Sequence, residues 1–412
     1  MPDTSVVRGR ETQGPSSGHR GHWGGVFAMS FGAFALVASE FMPVSLLTPM
    51  AADLQVSEGM VGQGIAISGV FAVLTSLSIS ALAGSMNRKT LLLGLTALMA
   101  VSGALVALSP GYLLFMIGRA LIGVVIGGFW SMSAATAMRL VPATRLSRAL
   151  AIFNGGNALA TVLAAPLGSY LGAIMGWRGA FFCLVPVAMI VLVWQWISLP
   201  SLKVPRRSTA VRDIFTIFSA FKNRSIAWGM AACGAFFMGQ FILFTYIRPF
   251  LETVTQIDVP GISLVLLVLG VSGFAGTVLI GRFLGPSLYR TLITIPALLA
   301  LIAGALIPFG AGVAAVVVLL GLWGLLGTSA PVGWWSWIAK AMPRNAEQGG
   351  GLMVAVVQTC IAVGSTLGGL LFDSIGYRGT FAASGAVLLL ASILALATSR
   401  IARQAAAKPA AS

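Results

Sequence analysis

Charge is scarce in this sequence. Asp, Glu, Lys and Arg make up only 8% of the 412 residues, against roughly a quarter in a soluble globular domain. Mean hydropathy is +0.95. A chain this poor in charge cannot clothe a water-facing surface, which excludes a soluble enzyme or a soluble nucleic-acid-binding module. Histidine is scarcer still. Both copies, His19 and His22, precede the first apolar run, so no apolar segment holds the parts of a Ser–His hydrolase or a His-ligated metal. Cys183, Cys233 and Cys360 lie singly in apolar runs with no Cys-x-x-Cys. They form neither a disulfide framework nor a metal site, and read as packing residues. No Gly-x-x-x-x-Gly-Lys-Ser/Thr loop occurs, which removes ATP as the energy source. No cofactor is implied. An apolar h-region is also missing ahead of Trp23, so the expectation is no cleavable signal peptide.

What the chain has in abundance is apolar runs of roughly 20 residues, the length that spans a ~30 Å hydrocarbon core as helix. They are too long for barrel strands and do not alternate polar with apolar residues. The expected spans are 23–47, 58–83, 91–108, 112–137, 148–174, 179–199, 225–249, 261–284, 291–308, 313–339, 349–372 and 379–399. The fold class is an all-α membrane protein of twelve transmembrane helices. A polar N-tail (1–22), read as a disordered leader, precedes a first six-helix half (23–199). A basic central loop (200–224) with Pro200 and Pro205 leads to a second half (225–399) and a C-tail (400–412).

The formal net charge of +15 is a topology signal. With twelve spans and both termini cytoplasmic, 21 of the 25 Lys and Arg fall on the cytoplasmic side. They include Arg88 and Lys89, Arg139, Arg145 and Arg148, and six in the central loop. Arg178, Arg248 and Arg378 fall outside, and Arg119 lies within a span. This is the positive-inside asymmetry of an inner-membrane protein. A nucleic-acid partner would need base-reading residues beside a basic patch in a soluble module, and none is present.

The halves repeat at an offset of 200 residues. Gly176-Trp177-Arg178-Gly179-Ala180-Phe181 matches Gly376-Tyr377-Arg378-Gly379-Thr380-Phe381, and Leu167-Gly168 matches Leu367-Gly368. Trp130-Ser131 and Trp335-Ser336 are a looser echo. Parallel six-helix repeats of this kind place a substrate site near the midplane, between the halves.

Few side chains could carry chemistry there. Of ten acids, only Glu40 lies well inside a span, where an ionisable group costs several kcal/mol. The expected boundaries put it about seven residues from the outer end of the first span, and put Arg119 equally deep in the fourth. The two read either as a structural ion pair closing the outer side of the first half, or as a proton carrier and its partner. In the carrier reading, burial and the arginine act on the carboxyl in opposite senses, each dominating in a different conformation. Trp130, eleven residues after Arg119, lies about 20° off the same helix face. Gly123 and Gly127 between them allow close helix packing. Trp130 reads as cavity lining or as an interface anchor. Trp323 and Trp334 share a face of the tenth span by the same arithmetic, while Trp334 and Trp337 also read as interface anchors. Asn154, Asn157, Gln240, Tyr246 and Gln358 are polar groups in apolar runs. They serve interhelical hydrogen bonding or substrate recognition. Amides, aromatics and one acid–arginine pair suit a neutral, planar, polar ligand.

Several segments carry a family resemblance. They are Glu40-Phe41-Met42-Pro43 through Met50, Gly118-Arg119 through Gly127-Gly128-Phe129-Trp130 to Pro142, Ala165-Pro166-Leu167-Gly168-Ser169, Gly239-Gln240-Phe241 to Tyr246-Ile247-Arg248-Pro249, and Pro331-Val332-Gly333-Trp334 to Trp337-Ile338. The chain resembles the major facilitator superfamily, in its twelve-span drug:proton antiporter branch, and within that branch its purine ribonucleoside exporters. The resemblance implies two six-helix halves whose first and fourth helices line the cavity, bringing Glu40 and Arg119 together. It implies proton-coupled efflux of purine ribonucleosides such as inosine and guanosine across a bacterial inner membrane. The partners are then that small molecule, protons and the lipid bilayer, and the protein is a monomer and not an enzyme. A multidrug or sugar exporter of the same branch is the alternative. An intramembrane enzyme, or a receptor built on this fold, would bind ligand without net flux. One loop departs from the family. Gly84-Ser85-Met86-Asn87-Arg88-Lys89 carries Asn87 where the family has an acid, which puts an ion-pair gate at that loop in question.

Overall fold

The computed structural model describes residues 22–83, 86–142, 145–202, 219–283, 287–342 and 346–407. Among these there is no strand. The helices are α1 (Trp23–Leu54), α2 (Glu58–Ala83), α3 (Arg88–Ala107), α4 (Tyr112–Leu140), α5 (Leu146–Phe182), α6 (Leu184–Ser198), α7 (Arg224–Phe244), α8 (Ile247–Thr253), α9 (Val259–Ile280), α10 (Leu288–Phe309), α11 (Val313–Gly327), α12 (Ala330–Ala341) and α13 (Ala346–Ala407).

These helices make twelve crossings. As a straight rod, the 62 residues of α13 would run ~93 Å, three times the ~30 Å hydrocarbon core. Instead the Thr380 hydroxyl lies 3.4 Å from the carbonyl of Gly368, twelve residues earlier. The chain therefore doubles back at Gly376, where φ is 72° and ψ −171°. Only glycine tolerates that region of backbone space. Gly176 does the same in α5, with φ 74° and ψ 166°. The 200-residue repeat seen in the sequence is thus a repeated hairpin reversal. A second repeat passed unnoticed in the sequence: Gln55 (φ 54°), just after α1, and Gln256 (φ 56°), three residues after α8, are both left-handed.

The repeated Trp/Tyr-Arg pair braces each reversal. Trp177 donates from Nε1 to Asp53 (3.0 Å), and Arg178 pairs with Asp53 and donates from Nη2 to Ser109 O at 2.7 Å. In the second half, Tyr377 packs at a tilt against Phe250 and donates to Ile307 O.

Two further crossings are interrupted. The seventh is α7 plus α8, broken at Thr245–Tyr246, and the tenth is α11 plus α12, broken at Thr328–Ser329. At the second break, Thr277 on α9 donates from its hydroxyl to Thr328 O at 3.3 Å. Thr328 and Ser329 nevertheless keep helical dihedrals, and Trp323 and Trp334 are both buried in the core of the second half. The interface-anchor reading of Trp334 and Trp337 falls, since both are buried there.

α1 runs to Leu54, seven residues past the expected end at 47. Pro43 and Pro49 both sit inside the helix. A proline at position i leaves the carbonyl of i−4 without its amide, so Pro43 frees Ser39 O and Pro49 frees Ser45 O. Both carbonyls are taken by arginines, as described below. Glu40 consequently lies fourteen residues from the end of its helix, twice the expected depth along the chain.

The core divides unevenly between the halves. One apolar cluster, from Val26 and Met29 to Leu199 and Leu202, is built wholly from the first six crossings. Two others join the halves, one at Tyr246 and Phe372 and one at Val44, Ile65, Phe241 and Ile361. The halves therefore meet at the end bearing the α1–α2 turn and through the middle.

Candidate functional site

At the centre, Arg119 is 1% exposed. A buried guanidinium is tolerable only when its N–H groups are satisfied. It donates to Ser39 O (2.9 Å), Glu40 O (3.3 Å), Gly64 O (3.1 Å) and Ser68 Oγ (3.2 Å). The carbonyl freed by Pro43 is thus one of its principal partners. Glu40 and Arg119 are adjacent as expected, but the expected direct bridge is not formed. Among the described residues the ion pairs are Arg178–Asp53 and Arg248–Glu252. The main-chain oxygens of α1 and α2 occupy the guanidinium, which leaves the Glu40 carboxylate free to face the other half. There it meets the side-chain amide of Gln358 on α13. Gln358 is held in place by the close approach of α2. A Cβ on Gly69 would lie 2.9 Å from Gln358 O.

The glycine ladder of α4 serves that same packing. A Cβ on Gly123 would fall 2.3 Å from Ser68 O, and one on Gly127 2.2 Å from Ala72 O. Beyond the ladder, Trp130 is half-buried and packs edge-on against Phe129 and Phe153. Asn157 is half-buried on α5. Asn154 is on the same helix, but its side chain lies outside the described residues. On the second half, Gln240 (α7) is half-buried and Trp323 (α11) is 1% exposed. Both approach Gly327 at the break of the tenth crossing. The indole Nε1 of Trp323 has no hydrogen-bond partner among the described residues. Phe41, Phe241 and Phe244 close the space between α1 and α7, with ring centroids 5.7–6.2 Å apart.

Of the two readings the sequence left for Tyr246, its contacts are those of interhelical hydrogen bonding. It is fully buried, stacks on Phe372 at 5.4 Å and donates to Ser365 O at 2.9 Å. Its hydroxyl sits where a Cβ on Gly62 would be. It wedges the two halves together beside the α1–α2 turn and does not line an open space. Sequence reasoning missed the rest of this clasp. Asp373, at the end of the eleventh crossing, accepts from Ser57 Oγ at 2.5 Å and from the Gly59 amide at 3.2 Å. Those donors form the N-terminus of α2, where the helix dipole favours an anion. Arg248, read from sequence as an outer-loop cation, is 5% exposed. It pairs with Glu252 at 2.8 Å and donates across the halves to Ser45 O, the carbonyl freed by Pro49, and to Ser169 Oγ. The signal was available as prolines four residues beyond Ser39 and Ser45, with arginines on neighbouring crossings. Asn87 is also accounted for. It caps α3, accepting from the amides of Lys89 and Leu202 within its own half.

The comparisons with known proteins agree with this architecture. A family profile described as Major Facilitator Superfamily matches residues 29–359. A Pseudomonas aeruginosa protein named "Transcription regulatory protein OpdE" is 63% identical over 395 residues, covering 96% of this chain and 98% of that one. The "Purine ribonucleoside efflux pump NepI" of Salmonella paratyphi B is 38% identical over 382 residues, 93% of this chain and 95% of that one. Among solved structures, a bacterial homologue of the human lysosomal transporter Spinster superposes with a TM-score of 0.71 at 15% identity, covering 93% and 98% of the two chains. The nucleoside transporter NupG gives 0.72 at 13% identity, covering 92% and 98%. With its twelve crossings and its duplicated halves, the chain is a multi-pass membrane transporter and belongs to the major facilitator superfamily.

Proposed function

We propose that this protein exports purine ribonucleosides across the bacterial inner membrane in exchange for protons, as a monomer with both termini in the cytoplasm. The similarity to NepI, which extends over nearly the whole chain, carries the reading. The central site suits it. Its one deep acid faces an amide, its arginine is engaged by main chain, and the remaining side chains are neutral amides and indoles. A nucleoside is neutral, flat on one side and hydrogen-bonding at its edges.

The basic residues give the direction. Arg88, Lys89, Arg139, Lys222 and Arg224 lie at the end away from the clasp, which the positive-inside rule assigns to the cytoplasm. The clasp of Tyr246, Asp373 and Arg248 is then the outer gate, closed in this conformation. Glu40 releases its proton to the inside as cargo enters, and takes another from outside after cargo leaves. The Glu40–Gln358 contact reports that exchange to the second half. One proton crossing ~100 mV supplies ~2.3 kcal/mol, enough for roughly a 40-fold gradient of a neutral solute. Trp130, Asn154, Asn157, Gln240, Trp323 and Gln358 are the candidate cargo contacts. The test is uptake of labelled inosine into inverted vesicles with and without a pH gradient. Gradient-dependent uptake is expected, and its absence alongside transport of lipophilic cations would favour the multidrug alternative.

The name of the 63% relative favours a second reading that is compatible with the first. A transporter that sets the internal level of an effector changes the transcription of genes under that effector. Deleting the gene should then alter expression of a purine-responsive reporter only while cargo is supplied. A response without cargo would point to a receptor.

A further inference from the structure

Two of the points at which the main chains of the halves meet are related by the duplication. On α2, a Cβ built on Gly69 would lie 2.9 Å from Gln358 O and 3.1 Å from the Cβ of Ala362 on α13. On α9, a Cβ built on Gly270 would lie 2.7 Å from the Cα of Val162 on α5 and 2.8 Å from its carbonyl oxygen. Gly270 follows Gly69 by 201 residues and Ala362 follows Val162 by 200, the offset of the repeat. Each glycine admits the partner helix to a distance that any side chain would forbid, so the two seams are mechanically alike.

They are not chemically alike. Gln358, at the first contact, turns its side-chain amide to the Glu40 carboxylate. The repeat sets Gln240 in the place of Glu40 and Ala158 in the place of Gln358, so the equivalent positions of the second seam hold no ionisable group. A hydrogen bond donated to the ionised form of an acid favours that form. The distance of the amide therefore sets how readily Glu40 holds a proton, and that distance depends on how closely α13 lies on α2. We propose that the α2–α13 seam is the one that couples proton binding to the movement of the halves, with Gly69 as its positioning residue, and that the α5–α9 seam at Gly270 is a pivot without chemistry. With the seam closed, as here, the amide favours release of the proton. Parting at Gly69 withdraws the amide, and the carboxyl takes a proton up again. The inference rests on Glu40 as the proton carrier and deepens that reading by naming the contact to which the carrier answers.

Infrared titration of the protein in lipid nanodiscs tests it without cargo, by reading the C=O band of the protonated acid that Glu40→Gln removes. Gln358→Leu takes the donor away and should move the midpoint of that band about one unit towards alkaline pH, the order of one hydrogen bond to a carboxylate. Gly69→Ala wedges the seam and should move the midpoint in the same sense by a smaller amount. Gly270→Ala adds the same methyl group at the repeat-related contact and should leave the midpoint in place, which a merely structural role for both glycines would not allow. Equal midpoints in Gly69→Ala and Gly270→Ala overturn the positioning role and leave Glu40 as the carrier. If Gly69→Ala does not fold, Ala362→Val wedges the same contact from α13 and is judged by the same criterion. A band that is absent at every pH, or that survives Glu40→Gln, overturns the carrier reading and this inference with it.

Discussion

Replacing Arg119 with methionine removes four hydrogen bonds at once, yet only one loss is irreparable. Glu40 O and Gly64 O keep in-helix amide partners at Val44 and Ser68, and the Ser68 hydroxyl also donates to Ile65 O. Ser39 O has no such partner, because Pro43 lacks the amide that would reach it. Stranding one buried carbonyl costs ~1–3 kcal/mol. Pro43→Ala restores the amide. A double-mutant cycle should therefore be non-additive: Arg119→Met costs ~1–2 kcal/mol less in the Pro43→Ala background than in the unmodified protein. Equilibrium unfolding in mixed micelles, followed by tryptophan fluorescence, measures all four corners. Additivity within ~0.5 kcal/mol would show that Arg119 is not held by the proline-freed carbonyl, and the account of α1 would be wrong.

Other outcomes are equally concrete. Glu40→Gln should leave the protein folded and bound to cargo but make vesicle uptake indifferent to a pH gradient; gradient-driven flux at the unmodified rate would remove Glu40 from coupling. Gly176→Ala and Gly376→Ala, at positive φ, should each destabilise by ~1–3 kcal/mol, whereas Gly304→Ala, helical with open space around its Cα, should be neutral or stabilising in the same melt. Asp373→Ala should lengthen the distances between spin labels at Ala52 and Thr253, both exposed beside the clasp, and an unchanged distribution would deny it a latching role. In a cysteine-free background, a cysteine at Thr253 should react with impermeant reagent from outside and one at Lys222 only from inside; the reverse pattern would invert the topology.

The sequence disclosed the crossings because apolar length and charge asymmetry are one-dimensional signals. It also disclosed the duplication, since Gly176 and Gly376 must be glycine to take the same forbidden turn. It set Glu40 and Arg119 at equal depth, and the family resemblance brought them together, but neither gave their manner of contact, which depends on where the guanidinium finds carbonyls. Those carbonyls exist because of Pro43 and Pro49, and prolines in a hydropathy profile read only as helix ends. The burial of Tyr246, Trp334 and Trp337 was illegible for another reason. Whether an aromatic residue sits in an interface belt, a wedge or a core depends on the neighbouring crossing, which a single segment does not specify.

The carbonyl that Pro49 frees has a consequence for how the clasped end opens. While the halves are clasped, Ser45 O and the Arg248 guanidinium satisfy one another away from solvent. Once parted, both require water, since lipid offers no partner. Opening is therefore a wetting transition, in which the gap fills as the contact breaks. Its equilibrium then depends on the activity of water at that end, so osmolytes too large to enter the gap should hold the clasp shut.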